Sequence, residues 1–190
     1  ISRMIRDISS TDILVGNKHT NLRQMVEQQL NTEEKAAHVQ EIRFREINQQ
    51  QVHADELTLQ DHAYTTAVSD EHFLQWVTAD NKIAGFCRLS LPHWNELAAG
   101  TCDVGADELA VQPGQAMIRE LHVYGQALSL GSEGLSAQHQ GLGQKLLARA
   151  EKIAADKGYT ILNVISSVGT RAYYRAQGFK DADLYQQKEL

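Results

Sequence analysis

The sequence predicts an α/β domain: a mixed, mostly antiparallel sheet flanked by helices and preceded by an N-terminal helical arm. Three observations carry this. His72–Thr78 and Ile83–Leu91 are β-type runs joined by the turn-forming Asp80-Asn81-Lys82, so residues 72–91 read as a hairpin. Leu142, Leu146, Leu147, Ala150, Ile153 and Ala154 recur at helical spacing and end at Lys157-Gly158, a basic last turn with a C-terminal glycine. Around that helix the order runs strand, glycine loop, helix, strand, helix, strand.

Residues 1–50 read as the arm. Asp12 or Thr11 would cap a helix carrying Leu14, Leu22, Val26 and Leu30. Glu41 to Ile47 alternates charged and apolar residues with period two, which predicts a half-buried strand. Residues 48–61, rich in Gln, Asp and Glu, read as a linker, and the cored domain occupies 51–190. His62–Val68 is its first strand. Residues 92–115, with Pro92, Gly100, Gly105, Pro113 and Gly114, form an acidic, loop-rich insertion. Met117–Tyr124 is the next strand, with Leu128 as an outer bound. Ile161–Ile165 follows the long helix as a buried strand. Thr170–Gln177 is a short helix closed by Gly178, and Leu184–Lys188 is the last strand.

Composition narrows the setting. No run approaches the roughly 20 apolar residues of a membrane helix, and no basic-then-apolar signal opens the chain. Cys87 and Cys102 form neither a close-spaced metal motif nor a disulfide framework, so no metal site and a reduced, cytoplasmic setting are expected. Because residue 1 is isoleucine and the first residues read as ordered, we expect a piece of a longer polypeptide. The net charge of −6 argues against a nucleic-acid partner, which needs clustered Lys and Arg. Its distribution softens that: residues 51–137 hold 3 basic and 12 acidic side chains, whereas 138–190 hold 8 basic and 5 acidic.

The chemistry centres on Gln138-His139-Gln140-Gly141-Leu142-Gly143, which follows a strand region and opens the amphipathic helix. Two glycines without Cβ let backbone N–H groups converge on a ligand. The helix start adds unpaired donors and a partial positive charge suited to a diphosphate. The plain alternative is a tight turn for helix–sheet packing. A P-loop is excluded by the missing Gly-Lys-Ser/Thr, and a dinucleotide fingerprint by the missing third glycine. Upstream, strand alternation puts Ile118, Glu120, His122 and Tyr124 on one face and Arg119, Leu121 and Val123 on the other. Glu120 and His122 then stand side by side as base or substrate ligand, or as a polar pair satisfied within the sheet. His139 reads as a loop-shaping or phosphate-side residue rather than a catalyst.

Gln-x-x-Gly-x-Gly, a helix, a strand and then Tyr174-Arg175-Ala176-Gln177-Gly178-Phe179 resemble the GNAT acetyltransferase superfamily. The resemblance implies a GNAT fold in which two strands splay and admit the pantetheine arm of acetyl-CoA. The pyrophosphate would then rest on Gln138, His139, Gln140, Gly141, Leu142, Gly143 and Gln144, with Leu121, His122 and Val123 along the arm. Tyr174 holds the motif position from which a phenol faces the cofactor sulfur and protonates the departing thiolate. Tyr173 stands where the superfamily has an apolar residue, and reads as packing or catalysis.

Ile118-Arg119-Glu120-Leu121-His122-Val123-Tyr124-Gly125-Gln126, with Gly169-Thr170-Arg171-Ala172-Tyr173-Tyr174-Arg175, is similar to the catalytic subunit of Elongator and its bacterial and archaeal counterparts. Arg6-Asp7-Ile8, Asn21-Leu22-Arg23 and Ile42-Arg43-Phe44-Arg45-Glu46 resemble the stretch joining that family's halves, although Ser9 stands where the family has proline. This resemblance implies a tRNA partner and carboxymethyl-type modification of the wobble uridine, with acetyl-CoA as the acetyl source. It makes residues 1–50 the trailing edge of a radical domain. S-adenosylmethionine and an iron–sulfur cluster would be bound only before this chain begins. The tyrosine pair is that family's acetyl-CoA signature. A protein lysine or small-amine N-acetyltransferase is the rival expectation and a non-catalytic acyl-CoA sensor a third; dimerisation is left open.

Overall fold

The computed structural model describes residues 9–16, 18–32, 39–48, 52–102, 104–124 and 141–190. The chain divides into two compact units, Ile1–Ile47 and Asn48–Leu190.

In the first unit, helix α1 spans Leu22–Thr32. It starts after, not at, the expected cap: Ser10–Asp12 is a separate 3-10 turn, and Leu14 is 93% exposed. The strand expected at Glu41–Ile47 is instead a turn over 42–45 with a single bridge at Glu46. The Arg45 N–H bonds back to the carbonyls of Glu41 and Ile42, and the Glu41 carboxylate accepts the Phe44 N–H at 3.1 Å. Burial falls at 41, 42, 45 and 47 rather than on every second residue, a pattern that the alternating charges concealed. Acidic side chains that capture nearby backbone donors offer the chain this alternative to a ladder.

The second unit is built on one seven-stranded sheet in the order β1-β2-β3-β4-β5-β7-β6. Its strands are β1 (Thr58–Thr65), β2 (Ser69–Val77), β3 (Ile83–Pro92), β4 (Gln115–Val123), β5 (Ile161–Val164), β6 (Lys180–Ala182) and β7 (Tyr185–Glu189). All neighbours are antiparallel except β4 and β5, which run parallel. The expected hairpin is β2–β3, with Asn81 at φ 66° in its turn. Strand β1 begins four residues before the expected His62, and β6 was not anticipated. Both are polar edge strands, so hydrophobic pattern does not mark them; β1 is tied on by Gln75–Gln60 and His72–Asp61 contacts across to β2.

Helix α2 (Trp94–Ala98) and a 3-10 turn at Ala106–Glu108 break up the stretch expected as loop. Helix α3 (Leu142–Asp156) crosses over between β4 and β5, and helix α4 (Arg171–Ala176) precedes β6. All six apolar positions of the α3 stripe are buried. Leu146, Leu147, Ala150, Ile153 and Ala154 meet Leu74, Cys87, Leu89, Leu91, Ala116, Ile118, Leu162 and Val164 from one face of the sheet, with Tyr174 and Phe179 closing the cluster. A stripe of this width buried on a sheet stabilises α3 far more than its intrinsic propensity does.

Candidate active site

Strands β4 and β5 pair only from Gln115↔Ile161 to Ile118↔Val164. β4 then runs on to Val123 beside β3 while β5 ends, so the sheet opens at Ile118. Asn163 closes the base of the opening. It is wholly buried, its amide donating to Gln115 Oε1 at 2.9 Å and to the Ala116 carbonyl at 3.1 Å, while its Oδ1 accepts from Gln187 at 2.9 Å.

A cavity of about 670 Å³ lies at the opening. Leu121 and Val123 supply its β4 wall, Gly141, Gly143 and Gln144 the start of α3, and Gly169, Thr170, Tyr173 and Tyr174 the α4 side. Gly141 takes φ 68°, a left-handed conformation that favours glycine, and it turns the first N–H groups of α3 toward this space. At Gly143 the reason for glycine is a close approach. A Cβ there would lie 2.9 Å from Tyr173 Oη and 3.4 Å from Val123 Cγ2. The helix start therefore presents amide donors and the positive end of its dipole to a cavity with a phenol beside them, an arrangement fitted to an anion followed by an extended arm.

The two tyrosines divide differently from their motif positions. Tyr174 is 6% exposed and belongs to the core cluster, 5.6 Å from the Phe179 ring, whereas Tyr173 is 37% exposed with its hydroxyl at the helix start. Both line the cavity, edge to face at 5.2 Å. Burial pushes the Tyr174 phenol up to about 12 and raises Tyr173 as well, so both remain protonated donors at neutral pH.

β4 carries a bulge. Arg88 pairs with Glu120 but Leu89 pairs with Ile118, leaving Arg119 as an extra residue. The simple alternation expected along 118–124 is therefore wrong. Ile118 faces the core with Leu89, Leu121 packs against the same cluster, and Glu120 and His122 point to the other face beside Arg88 and Phe86. There His122 Nε2 lies 3.2 Å from Glu120 Oε1, and Arg88 Nη1 lies 3.5 Å from Glu120 Oε2. Glu120 and His122 are thus together, across the strand from the cavity wall.

Of the other expected contacts, Leu142 is 1% exposed and turned into the fold, while Gln138, His139 and Gln140 lie outside the described residues. Gly169 and Thr170 were not expected to line the cavity; their signal was the Gly-Thr-Arg run immediately ahead of the tyrosine pair.

Residues 36–179 match the model of the Acetyltransferase (GNAT) family. Over its whole length the chain is 37% identical to the tRNA uridine(34) acetyltransferase of Dehalococcoides mccartyi, covering 40% of that protein. It is 31% identical to the Elongator complex protein 3 of Danio rerio, covering 34% of it. A solved structure of the archaeal Methanocaldococcus infernus Elp3 with an N-terminal deletion superposes on the whole chain with a TM-score of 0.72 at 28% identity, covering 44% of that chain. The chain thus spans well under half the length of the relatives it matches.

Proposed function

The chain belongs to the acetyltransferase (GNAT) family, and on that premise we propose that it is the acetyl-CoA-binding half of a tRNA uridine-modifying acetyltransferase that cleaves the thioester when tRNA is present. The observation that carries the cofactor is the cavity at the β4–β5 opening, with glycine wherever backbone or phenol must come close. The α3 amides at Gly141 and Gly143 would hold the pyrophosphate, and Leu121 and Val123 would flank the arm. Acetyl-CoA supplies an activated acetyl group on a thiolate leaving group. The tRNA acceptor is supported by the names of relatives matched over the full chain. The radical chemistry that the resemblance implies would belong to the rest of the full-length protein.

The phenols set the mechanism. A thiol has a pKa near 8.5, so full proton transfer from a phenol held at about 12 is uphill by several kcal/mol. Tyr174 is thereby suited to donating a hydrogen bond to charge developing on sulfur rather than surrendering its proton. Tyr174→Phe should lower thioester cleavage about tenfold, the value of one hydrogen bond to a charged group, with acetyl-CoA affinity nearly unchanged. The loss should be the same at pH 6 and pH 9, since the phenol stays protonated across that range. Equal loss of binding and cleavage would make Tyr174 a packing residue. The reading itself is tested by CoA release from acetyl-CoA by the full-length protein with tRNA, without it, and with a panel of amines. Release with amines alone overturns the tRNA acceptor.

A further inference from the structure

We propose that Arg119, the extra residue of the β4 bulge, contacts a backbone phosphate of the acceptor strand and so holds that strand at the opening between β4 and β5. The proposal rests on the tRNA reading above and adds a residue of this chain that would grip the RNA.

The bulge decides where this side chain goes. In an unbroken strand a single residue separates two that face the same way. Here two residues, Arg119 and Glu120, stand between the core-facing Ile118 and Leu121, so both are turned off the core face. Re-aiming a side chain beside a site is a recurrent use of a bulge. Glu120 is engaged with Arg88 and His122. Arg119 is exposed, and among the described residues no carboxylate lies within ion-pair distance of it. Its isolation stands out against the local charge. Residues 51–137 hold 12 acidic side chains and 3 basic ones, Lys82, Arg88 and Arg119. Lys82 belongs to the β2–β3 turn, and Arg88 lies 3.5 Å from Glu120. An acidic stretch offers a guanidinium many partners, and the bulge holds this one clear of them.

Position selects the anion. The last β4–β5 pair is Ile118↔Val164, so Arg119 is the first residue of β4 beyond it, at the rim of the opening. The α3 amides at Gly141 and Gly143, proposed above for the cofactor's pyrophosphate, lie on the core side of the sheet, from which Arg119 is turned away. β4 would therefore keep two anions apart, the cofactor's on one side and the acceptor's on the other. The planar guanidinium donates two parallel hydrogen bonds to a phosphate. Such contacts fix the register of a nucleic-acid strand without reading its bases. An amine acceptor, cationic in solution, would be repelled by the same side chain.

The test uses the full-length protein and a tRNA transcript carrying uridine at position 34, the position in the relatives' names. RNA affinity is read by fluorescence anisotropy over a salt series, and turnover by RNA-stimulated CoA release. Each phosphate contact adds close to one unit to the slope of log affinity against log salt. Arg119→Gln should lower that slope by about one and weaken RNA binding about tenfold. The KM for RNA should rise by the same factor, with kcat at saturating RNA held within about twofold. Arg119→Lys, which keeps the charge and loses the fork, should keep the slope and lose only about threefold in affinity. Calorimetric acetyl-CoA affinity should not move in either variant. A wild type that neither binds RNA nor is stimulated by it overturns the tRNA reading, and this contact with it. RNA binding whose salt slope is unchanged in Arg119→Gln overturns the contact alone. Weaker acetyl-CoA binding in that variant also overturns it, since the guanidinium would then serve the cofactor. A slope lost equally in Arg119→Lys does so too, because charge would not be what the RNA feels.

Discussion

Gly143→Val is expected to weaken acetyl-CoA binding about 100-fold, nearly 3 kcal/mol, without lowering the melting temperature. A Cβ at this position already meets Tyr173 Oη at 2.9 Å and Val123 Cγ2 at 3.4 Å. The half-exposed Tyr173 ring can swing aside, so the fold tolerates the change. The cavity does not. Two further methyl-sized groups then occupy the space between the α3 start and the β4 wall, where an extended arm and its diphosphate must lie. Gly143 is inside a helix, where valine is favoured over glycine by a few tenths of a kcal/mol, so stability should hold or rise slightly. Calorimetric titration with CoA beside a thermal melt separates the two effects. Unchanged affinity would show that the ligand does not pass between Gly143 and Val123.

Asn163→Leu should have the largest effect on the fold, costing about 3 kcal/mol, which for a chain of this size is roughly 6–12 °C of melting temperature. The leucine fits the volume but removes the amide that donates to the Ala116 carbonyl within the buried layer and the oxygen that accepts from the half-buried Gln187, while Gln115 Oε1 is left with the Gln112 N–H. The Asn163 side chain adds to the β4–β5–β7 backbone ladders a bridge from Gln115 to Gln187, so its loss also loosens the base of the opening, and acetyl-CoA affinity should fall in parallel. The thermal melt reads the first effect and CoA titration the second. A melting temperature within 2 °C of wild type would mean that water or neighbouring side chains take over these bonds without difficulty.

The elements legible in the sequence are those whose periodicity is set by one apolar face against one core. The α3 stripe is the clearest, since each of its six residues is buried. The β2–β3 hairpin is legible because turn chemistry and alternation agree. What escaped was decided by polar groups meeting across space. The bounds of the exposed edge strand β1, expected at His62–Val68 and found at Thr58–Thr65, are set by pairing with β2, and the 41–47 turn by a carboxylate capturing a backbone N–H. Within the site, Gly141 and Gly143 were identifiable as a close-approach pair opening a helix, whereas the tyrosine pair was reached through the resemblance of Tyr174-Arg175-Ala176-Gln177-Gly178-Phe179 and the Gly169–Arg175 run to known families. The unequal burial of Tyr173 and Tyr174 was not, because it depends on which ring meets Phe179. The faces of Glu120 and His122 relative to Ile118 were misassigned because an extra residue in a strand leaves no compositional trace.

That extra residue has a wider consequence. A bulge bends its strand and increases the local twist, and Arg119 sits immediately after the last β4–β5 pair. Deleting one codon there would leave each flanking side chain on the face it now occupies, because the pairing with β3 is continuous on both sides of it. The straightened strand could then stay alongside β5, and the wedge between them would narrow. Chain length at residue 119, more than side-chain identity, sets how wide a guest the sheet admits.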